Sequence, residues 1–425
     1  MKFTNVKNSL IVMLAIFSYL PTANAQTPVK ETSLLSQEVA TLRKQGPQGL
    51  QTFLKSHQDA LNTGVLGATV PNAKIRAALD ALCQQRDCYA SHLYWYTDLE
   101  QAKAAAKASG KPILSLRLLG RLDEDLSCAN SRFFRVALYP NAAISQALQN
   151  RFILHWQSVR PVPKITIDFG DGRKIERTIT GNSIHYVLDE SGRPIDAIPG
   201  LYSPQAFLRQ LQQAEVVAKE YSKVPLAQRQ AFLQKYHSDR LNAIQSQWQA
   251  DLSRLGIQSP PKLSNTNQPT AEIAGSLAVT KMAIENPMLN ALRPNTTQNR
   301  ENLAAITDQE AWNKIAQLYA ADAKLDQNSI SLITAKKFLN TKAETGNLLK
   351  TINKFEALMA LDTVRNEYML HSQIHQWFLQ DAQTSDLAKL NDKVYAQLFL
   401  TPNSDPWLGL LASDAYSAID GEGLR

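Results

Sequence analysis

The chain has 425 residues, 44% of them hydrophobic and 20% charged, with a formal charge of +7. That length favours two or three domains with a sizeable core, and the basic residues are scattered without a run of five, so the charge carries no nucleic-acid signature. Beyond the N-terminus no stretch is apolar and long enough to span a bilayer.

Residues 1–25 read as a secretory signal: Lys2 and Lys7 form the positive segment, Leu10 to Leu20 the apolar run, and Ala23-Asn24-Ala25 the cleavage site. The alternative is an uncleaved anchor; no cysteine follows the apolar run, which argues against a lipoprotein. Cleavage would start the mature chain at Gln26 with a charge of +5, having lost Lys2 and Lys7 and no acid. The expected compartment is periplasmic or extracellular, where disulfides form. The cysteines are Cys83, Cys88 and Cys128. A local Cys83–Cys88 bridge with Cys128 free is the economical arrangement, and pairing of Cys128 with either of the others is the alternative.

Residues 26–88 read as a helical N-terminal cap, with leucines at helical spacing in 32–43 and 46–59 and a short helix over 73–84. Residues 89–222 change character. His92 to Tyr96 is aromatic and strand-like, and Thr97 is the expected cap of an alanine-rich helix over 98–109, stopped by Gly110. Pro112 to Leu118 suits a strand buried on both faces. A helix opening on Cys128 follows, then a helix over 142–149, a strand over 152–159 and a hairpin, 164–169 and 174–180, around Gly170-Asp171-Gly172. Strands over 184–189 and 194–198 come next, and Ser203 is the expected cap of a helix through Ala218. The expected class is α/β, a mixed sheet with flanking helices and an inserted hairpin.

Residues 225–255 predict one long polar helix within a 223–255 segment. Residues 256–270 are linker-like, with Ser259-Pro260-Pro261 and Pro269. From 271 to 425 strand signals nearly vanish, predicting an all-α domain. Its helices fall over 271–284, from a Thr307–Glu310 capping box through 323, over 328–339, over 348–380 (bent or broken) and over 387–399, before a tail with Trp407 and Tyr416.

Several blocks within residues 93 to about 215 resemble the thioredoxin-like superfamily. "TDLEQAKAAAKASGKPILSL" looks like the helix-Gly-Lys-Pro-strand entry of its secreted members, and Cys128-Ala129-Asn130-Ser131 falls where its Cys-x-x-Cys sits. "NAAISQALQNRFILHW" and "YVLDESGRPIDAIPGLYSPQAFLRQL" look like the helix and strand that follow, then the closing hairpin and helix. The sequence also departs from the pattern. Ser131 replaces the resolving cysteine, Ser127 stands where many members have an aromatic residue, and no proline lies near Ser183, where the family has a cis-proline. The resemblance implies a thioredoxin-like domain at 89–222, with Cys128 and Ser131 at the site and Asn130, Arg132, Asn182 and Ser183 nearby.

A thiol at a helix N-terminus is favoured as thiolate by the macrodipole. Ser131 can donate to it and Arg132 can support it, while Asp123, Glu124 and Asp125 oppose it. Without a resolving thiol, a mixed disulfide at Cys128 is not released within the motif. The competing reading is Cys128 as a half-buried small hydrophobe. Cys83 and Cys88 read as a structural staple, with a redox pair as the alternative. Glu367, His371 and His375, at i, i+4 and i+8, form a second candidate for metal ligation; Ser372 follows His371, so the zincin pattern is not met. The competing reading is a polar helical face. In the turn holding Asp362, Arg365, Asn366 and Glu367, Asp362 is expected to pair with Arg365 or Asn366 as salt-bridged packing; the alternative is a turn buried against another helix or lining a groove. No Walker loop, Gly-x-Gly-x-x-Gly or Gly-x-Ser-x-Gly occurs, so no cofactor is expected.

The resulting expectation is an exported thioredoxin-like protein that binds other exported proteins, with Cys128 as a monothiol exchange or client-binding group. Two alternatives stand beside it: a non-catalytic interaction scaffold with a redox-dead thioredoxin fold, and a metal-dependent enzyme using the helical domain. No nucleic-acid partner and no transmembrane segment after signal cleavage are expected.

Overall fold

The computed structural model describes residues 28–62, 72–178, 181–258, 260–261, 309–340, 345–399 and 401. The expected signal segment, most of the expected 256–270 linker, the expected helix over 271–284, Thr307 and Asp308 of the expected capping box, and the tail with Trp407 and Tyr416 lie outside these residues.

The N-terminal helices are α1 (Pro28–Arg43), α2 (Pro47–Ser56), α3 (Gln58–Asn62) and α4 (Ala73–Cys83). They enclose a small core of their own, including Leu50, Phe53, Leu79 and Leu82. The Arg43 guanidinium ties α1 to the rest by donating to the carbonyls of Leu82 (2.9 Å) and Trp95 and lying 4.1 Å from the Tyr94 ring centre. Cys83 and Cys88 form a disulfide that closes the turn after α4. Inside that turn the Asp80 carboxylate accepts the Cys88 N–H at 2.9 Å, and burial pushes its pKa up to about 6.

His92 to Tyr96 does not form the expected strand. The segment is extended, but only Tyr96 bridges to the sheet, opposite His155, because the Trp95 N–H turns back to the Cys83 carbonyl. The helix after it, α5 (Leu99–Ser109), is capped by Asp98 rather than Thr97. The Asp98 carboxylate accepts the N–H groups of Glu100 and Gln101, satisfying two free donors and facing the positive helix end. Gly110, at φ +67°, ends the helix and leads into β1.

The main sheet contains β1 (Ile113–Leu119), β2 (Ile153–Arg160), β5 (Ser183–Leu188) and β6 (Pro194–Pro199), in the order β2-β1-β5-β6. β1 and β2 are parallel; β5 runs antiparallel to both β1 and β6. β1 is buried at every residue, Ser115 and Arg117 included, as its mostly apolar run predicts. The hairpin β3 (Lys164–Asp168) and β4 (Lys174–Thr178) forms a separate two-stranded sheet. Between β1 and β2 lie α6 (Ala129–Phe133), a π turn over Phe134–Leu138, and α7 (Ala142–Arg151). After β6 comes α8 (Pro204–Lys223); Ser203 precedes it without a side-chain cap bond.

The long polar helix is α9 (Arg229–Leu255), entered through a short 3₁₀ turn at Leu226–Gln228. The C-terminal part is helical throughout its described residues: α10 (Gln309–Gln317), α11 (Gln327–Asn340), α12 (Thr345–Arg365), α13 (Ser372–Gln380) and α14 (Leu387–Lys393). A π turn over Asn366–His371 joins α12 to α13, so the expected bent helix is a single path with one widened turn. The largest buried apolar cluster runs without interruption from Leu93 in the sheet region to Phe399 at the end of the helices. β6 is an edge strand, yet all six of its residues are buried, because the Asn366–His371 turn packs against it.

Candidate functional site

Cys128 sits at the N-cap of α6 with none of its surface exposed. The helix it opens has only five residues before the π turn, so the dipole available to a thiolate is short. Ser131 does not serve the thiol. Its hydroxyl donates to Ser127 Oγ at 2.6 Å and lies 2.9 Å from the Cys128 carbonyl. Arg132 is also engaged elsewhere, donating to Thr178 Oγ1 at 2.9 Å. The acids that follow β1 are paired as well: Arg121 with Asp123 and Glu124, Arg86 with Asp125. The expected thiolate shell is therefore replaced by hydrogen bonds that hold the loop before α6.

The remaining residues of that locus are covered by the C-terminal helices. Asn182 donates to Thr401 Oγ1 at 3.1 Å, and the Tyr395 hydroxyl donates to the Asn182 carbonyl at 3.2 Å. The Phe133 and Phe355 rings lie 4.7 Å apart. Ser183 is fully buried beside Asn182. Between Asn130, Asn182, Gly200, Asp362 and Asn366 a gap of only about 20 Å³ remains, room for roughly one water and not for a peptide.

A larger concavity opens elsewhere. A cleft of about 310 Å³ lies between α8, α9, Tyr319 just after α10, and the α12–π turn, with Tyr202, Gln210, Arg240, Gln247 and Glu367 among its walls. Glu367 is the hub of its polar wall. Its carboxylate accepts from Tyr202 Oη at 3.0 Å, from Gln210 Nε2 at 2.9 Å and pairs with Arg240 at 3.5 Å. His371 Nδ1 is 3.0 Å from the same carboxylate. The two are four residues apart, as the expected stripe requires, but the structure splits that stripe by role. Glu367 is spent on the cleft wall, whereas His371 and His375 face β6 and α9.

Behind the cleft wall the helices bring together groups far apart in sequence. His237 of α9 and His375 of α13 place their Nδ1 atoms 2.9 Å apart. His371 Nε2 lies 3.5 Å from Asp196 Oδ1 on β6, and the Tyr236 hydroxyl donates to Asp196 Oδ2. All three imidazoles are completely buried. Burial works against the charge on Asp196, but the hydrogen bond and charge of His371 beside it hold its carboxyl well below the usual range. Burial likewise opposes the charge on His371, yet Glu367 and Asp196 raise it to about 9. Burial, with the charge of His371, pushes His375 far down; burial also lowers His237 to about 4. The cluster thus holds a charged His371 between two carboxylates and a neutral His237–His375 pair beside them.

The sequence reading does not single out Asp196, His237 and Arg240, and it places Tyr236 only on the apolar face of the long helix. Two signals for them exist. Asp196 is the one charge in the otherwise apolar strand Pro194–Pro199, and His237 falls on the α9 stripe of Leu233, Ile244 and Trp248. Asp362, Arg365 and Asn366, expected as salt-bridged packing, are all buried. The Asn366 amide donates to the Leu201 carbonyl at 2.7 Å, and the Arg365 guanidinium lies 5.7 Å from the Trp312 ring centre. Comparison with protein-family models, curated proteins and solved structures finds no match to this chain.

Proposed function

We propose that the chain is an exported, thioredoxin-like binding scaffold whose thiol is not its working group. The observation that carries this reading is the complete burial of Cys128, with Ser131 and Arg132 engaged elsewhere and C-terminal helices over the neighbouring residues. A reactive thiol has to be reached by its partner disulfide, and reactive cysteines sit in partly exposed positions. The mixed sheet with flanking helices, and the short helix that opens on Cys128, support the thioredoxin-like part of the reading. The signal-like N-terminus and the Cys83–Cys88 disulfide support export, and no described helix is long and apolar enough to cross a membrane. On this reading the partners are other exported proteins, and the polar cleft around Glu367 and Arg240 is a concave surface open to them.

The test is alkylation of the oxidised mature protein, followed by peptide mapping. Cys128 is expected to stay unlabelled in the native protein and to label fully in denaturant. The protein is also expected to show no disulfide reductase activity above that of Cys128→Ala. Rapid native labelling together with Cys128-dependent reductase activity would refute the scaffold reading and restore thiol exchange.

A further inference from the structure

We propose that Asp196, His237 and His375 form a binding site for a divalent first-row transition cation, with zinc as the reference ion. Among the described residues, these three bring one ligand atom each to within 4.8 Å of one another. They come from three elements, β6, α9 and α13, so only the folded chain assembles the site. Two imidazoles and one carboxylate form a nitrogen–oxygen donor set suited to such ions, and three protein ligands leave a fourth position for water or another donor.

The distances fit that chemistry. Two zinc–nitrogen bonds of ~2.0–2.1 Å at a tetrahedral angle separate the nitrogens by ~3.3–3.4 Å. The Nδ1 atoms of His237 and His375 are 2.9 Å apart, so a shift of a few tenths of an ångström suffices. At present one ring donates its Nδ1 proton to the other. Binding through both Nδ1 atoms moves that proton to the donor ring's own Nε2, so the two rings remain neutral and no proton is lost.

The donors are closed to solvent: both rings are completely buried, and their Nε2 atoms are shut away from water as well. The neighbours also suit a cation. Tyr236 orients the Asp196 carboxylate through its hydroxyl, the role that outer donors play for ligating carboxylates. His371 faces the same carboxylate and Glu367, while Arg240 pairs with Glu367. Two carboxylates therefore face Arg240 and His371 around the site. Phe378, stacked 4.1 Å from the His237 ring, closes the apolar side. Glu367 lines the open cleft and bonds His371 of the cluster, so one side chain separates the site from the cleft.

The experiment uses the full mature chain with Cys83–Cys88 oxidised, stripped by chelator and titrated with Zn²⁺ against a competing indicator. One equivalent is expected to bind, and Cys128→Ala should leave that stoichiometry unchanged. The His237→Gln/His375→Gln double variant should abolish binding. Tyr236→Phe, which keeps the ring in place, should weaken it ~10–100-fold. Because the double variant removes buried groups and is liable to fold poorly, Co²⁺ is added to the unaltered protein as a second measurement. The expected spectrum has ligand-field bands of a nitrogen–oxygen site and no thiolate charge-transfer band. No stoichiometric Zn²⁺ binding, a thiolate band with Co²⁺, or full binding by a folded double variant would each overturn the proposal.

Discussion

The seam between the sheet and the C-terminal helices can be probed at a single atom. Gly200 follows β6 with φ +76°, and a Cβ built there would lie 2.5 Å from Asn366 Nδ2 and 2.9 Å from its Cγ and Oδ1. Gly200→Ala therefore carries two costs. The left-handed backbone disfavours a side chain by ~1–2 kcal/mol. Asn366 must also move, and its buried amide then gives up the 2.7 Å bond to the Leu201 carbonyl, leaving polar groups unpaired at a cost of ~1–3 kcal/mol. The sum, about 2–5 kcal/mol, is a large fraction of an ordinary domain's total stability. The assay is urea unfolding followed by tryptophan fluorescence, with Gly200→Ala, Asn366→Ala and the double variant compared. The steric part disappears once Asn366 is shortened, so the double variant should be less destabilised than the sum of the singles by about 1–3 kcal/mol. A Gly200→Ala cost below about 0.5 kcal/mol, or singles that add within that margin, would refute the tight packing of the π turn on the β6 loop.

Other outcomes follow from the same interior. His155 and His185 are buried and held at about 3, against ~6.5 in an unfolded chain. The unfolded chain binds these protons first, so their contribution to stability is lost as pH falls from about 6.5 toward 3, while Asp80, raised to about 6, opposes part of that trend. His185→Gln should lower the acid slope of unfolding stability by about 1.4 kcal/mol per pH unit in that window; an unchanged slope would mean that His185 is hydrated or charged. Reducing Cys83–Cys88 releases a loop of about six residues, and loop entropy gives about 2 kcal/mol for it. Reductant should accordingly lower the melting temperature of the N-terminal helices, read by circular dichroism, and no shift would mean that the helices hold without the staple. Phe53→Ala removes a fully buried ring from the N-terminal core and should destabilise that unit by ~3–5 kcal/mol. A cost below ~1 kcal/mol in chemical denaturation would show that this core does not stabilise the helices.

Much of the architecture was legible because its signals are local. The mostly apolar run of β1, the Gly110 stop and the turn at Gly170-Asp171-Gly172 depend on residues adjacent in sequence. Failures occurred where tertiary contacts override local preference. His92 to Tyr96 has strand composition, but the Trp95 N–H bonds Cys83 instead of a neighbouring strand. Asp98 displaced Thr97 as cap because a carboxylate one residue later reaches two free N–H groups. For the site, the spacing of Glu367, His371 and His375 placed two histidines on one helical face. It did not reveal Asp196, contributed by an edge strand, or His237, contributed by a helix more than a hundred residues earlier. Periodicity reports which face of an element is apolar; it does not report which distant element meets a polar residue on that face.

The two buried loci meet at the same structural device, the covering of the β6 edge by the path from α12 to α13. An open edge strand with Asp196 in its middle would expose unpaired backbone and a solvated carboxylate. The π turn brings Asn366 onto the Leu201 carbonyl on one side and Glu367 and His371 toward the cleft and Asp196 on the other. A regular helical turn would rotate the residues after it by about 100° per residue removed, so the widened turn lets one helix path serve both contacts. The same packing that closes the gap beside Asn130 and Asn182 also assembles the histidines behind Glu367. Loosening this path is therefore expected to expose Cys128 and to disperse the His237–His375 pair together. Opening one without the other would mean that the two loci are held by different contacts.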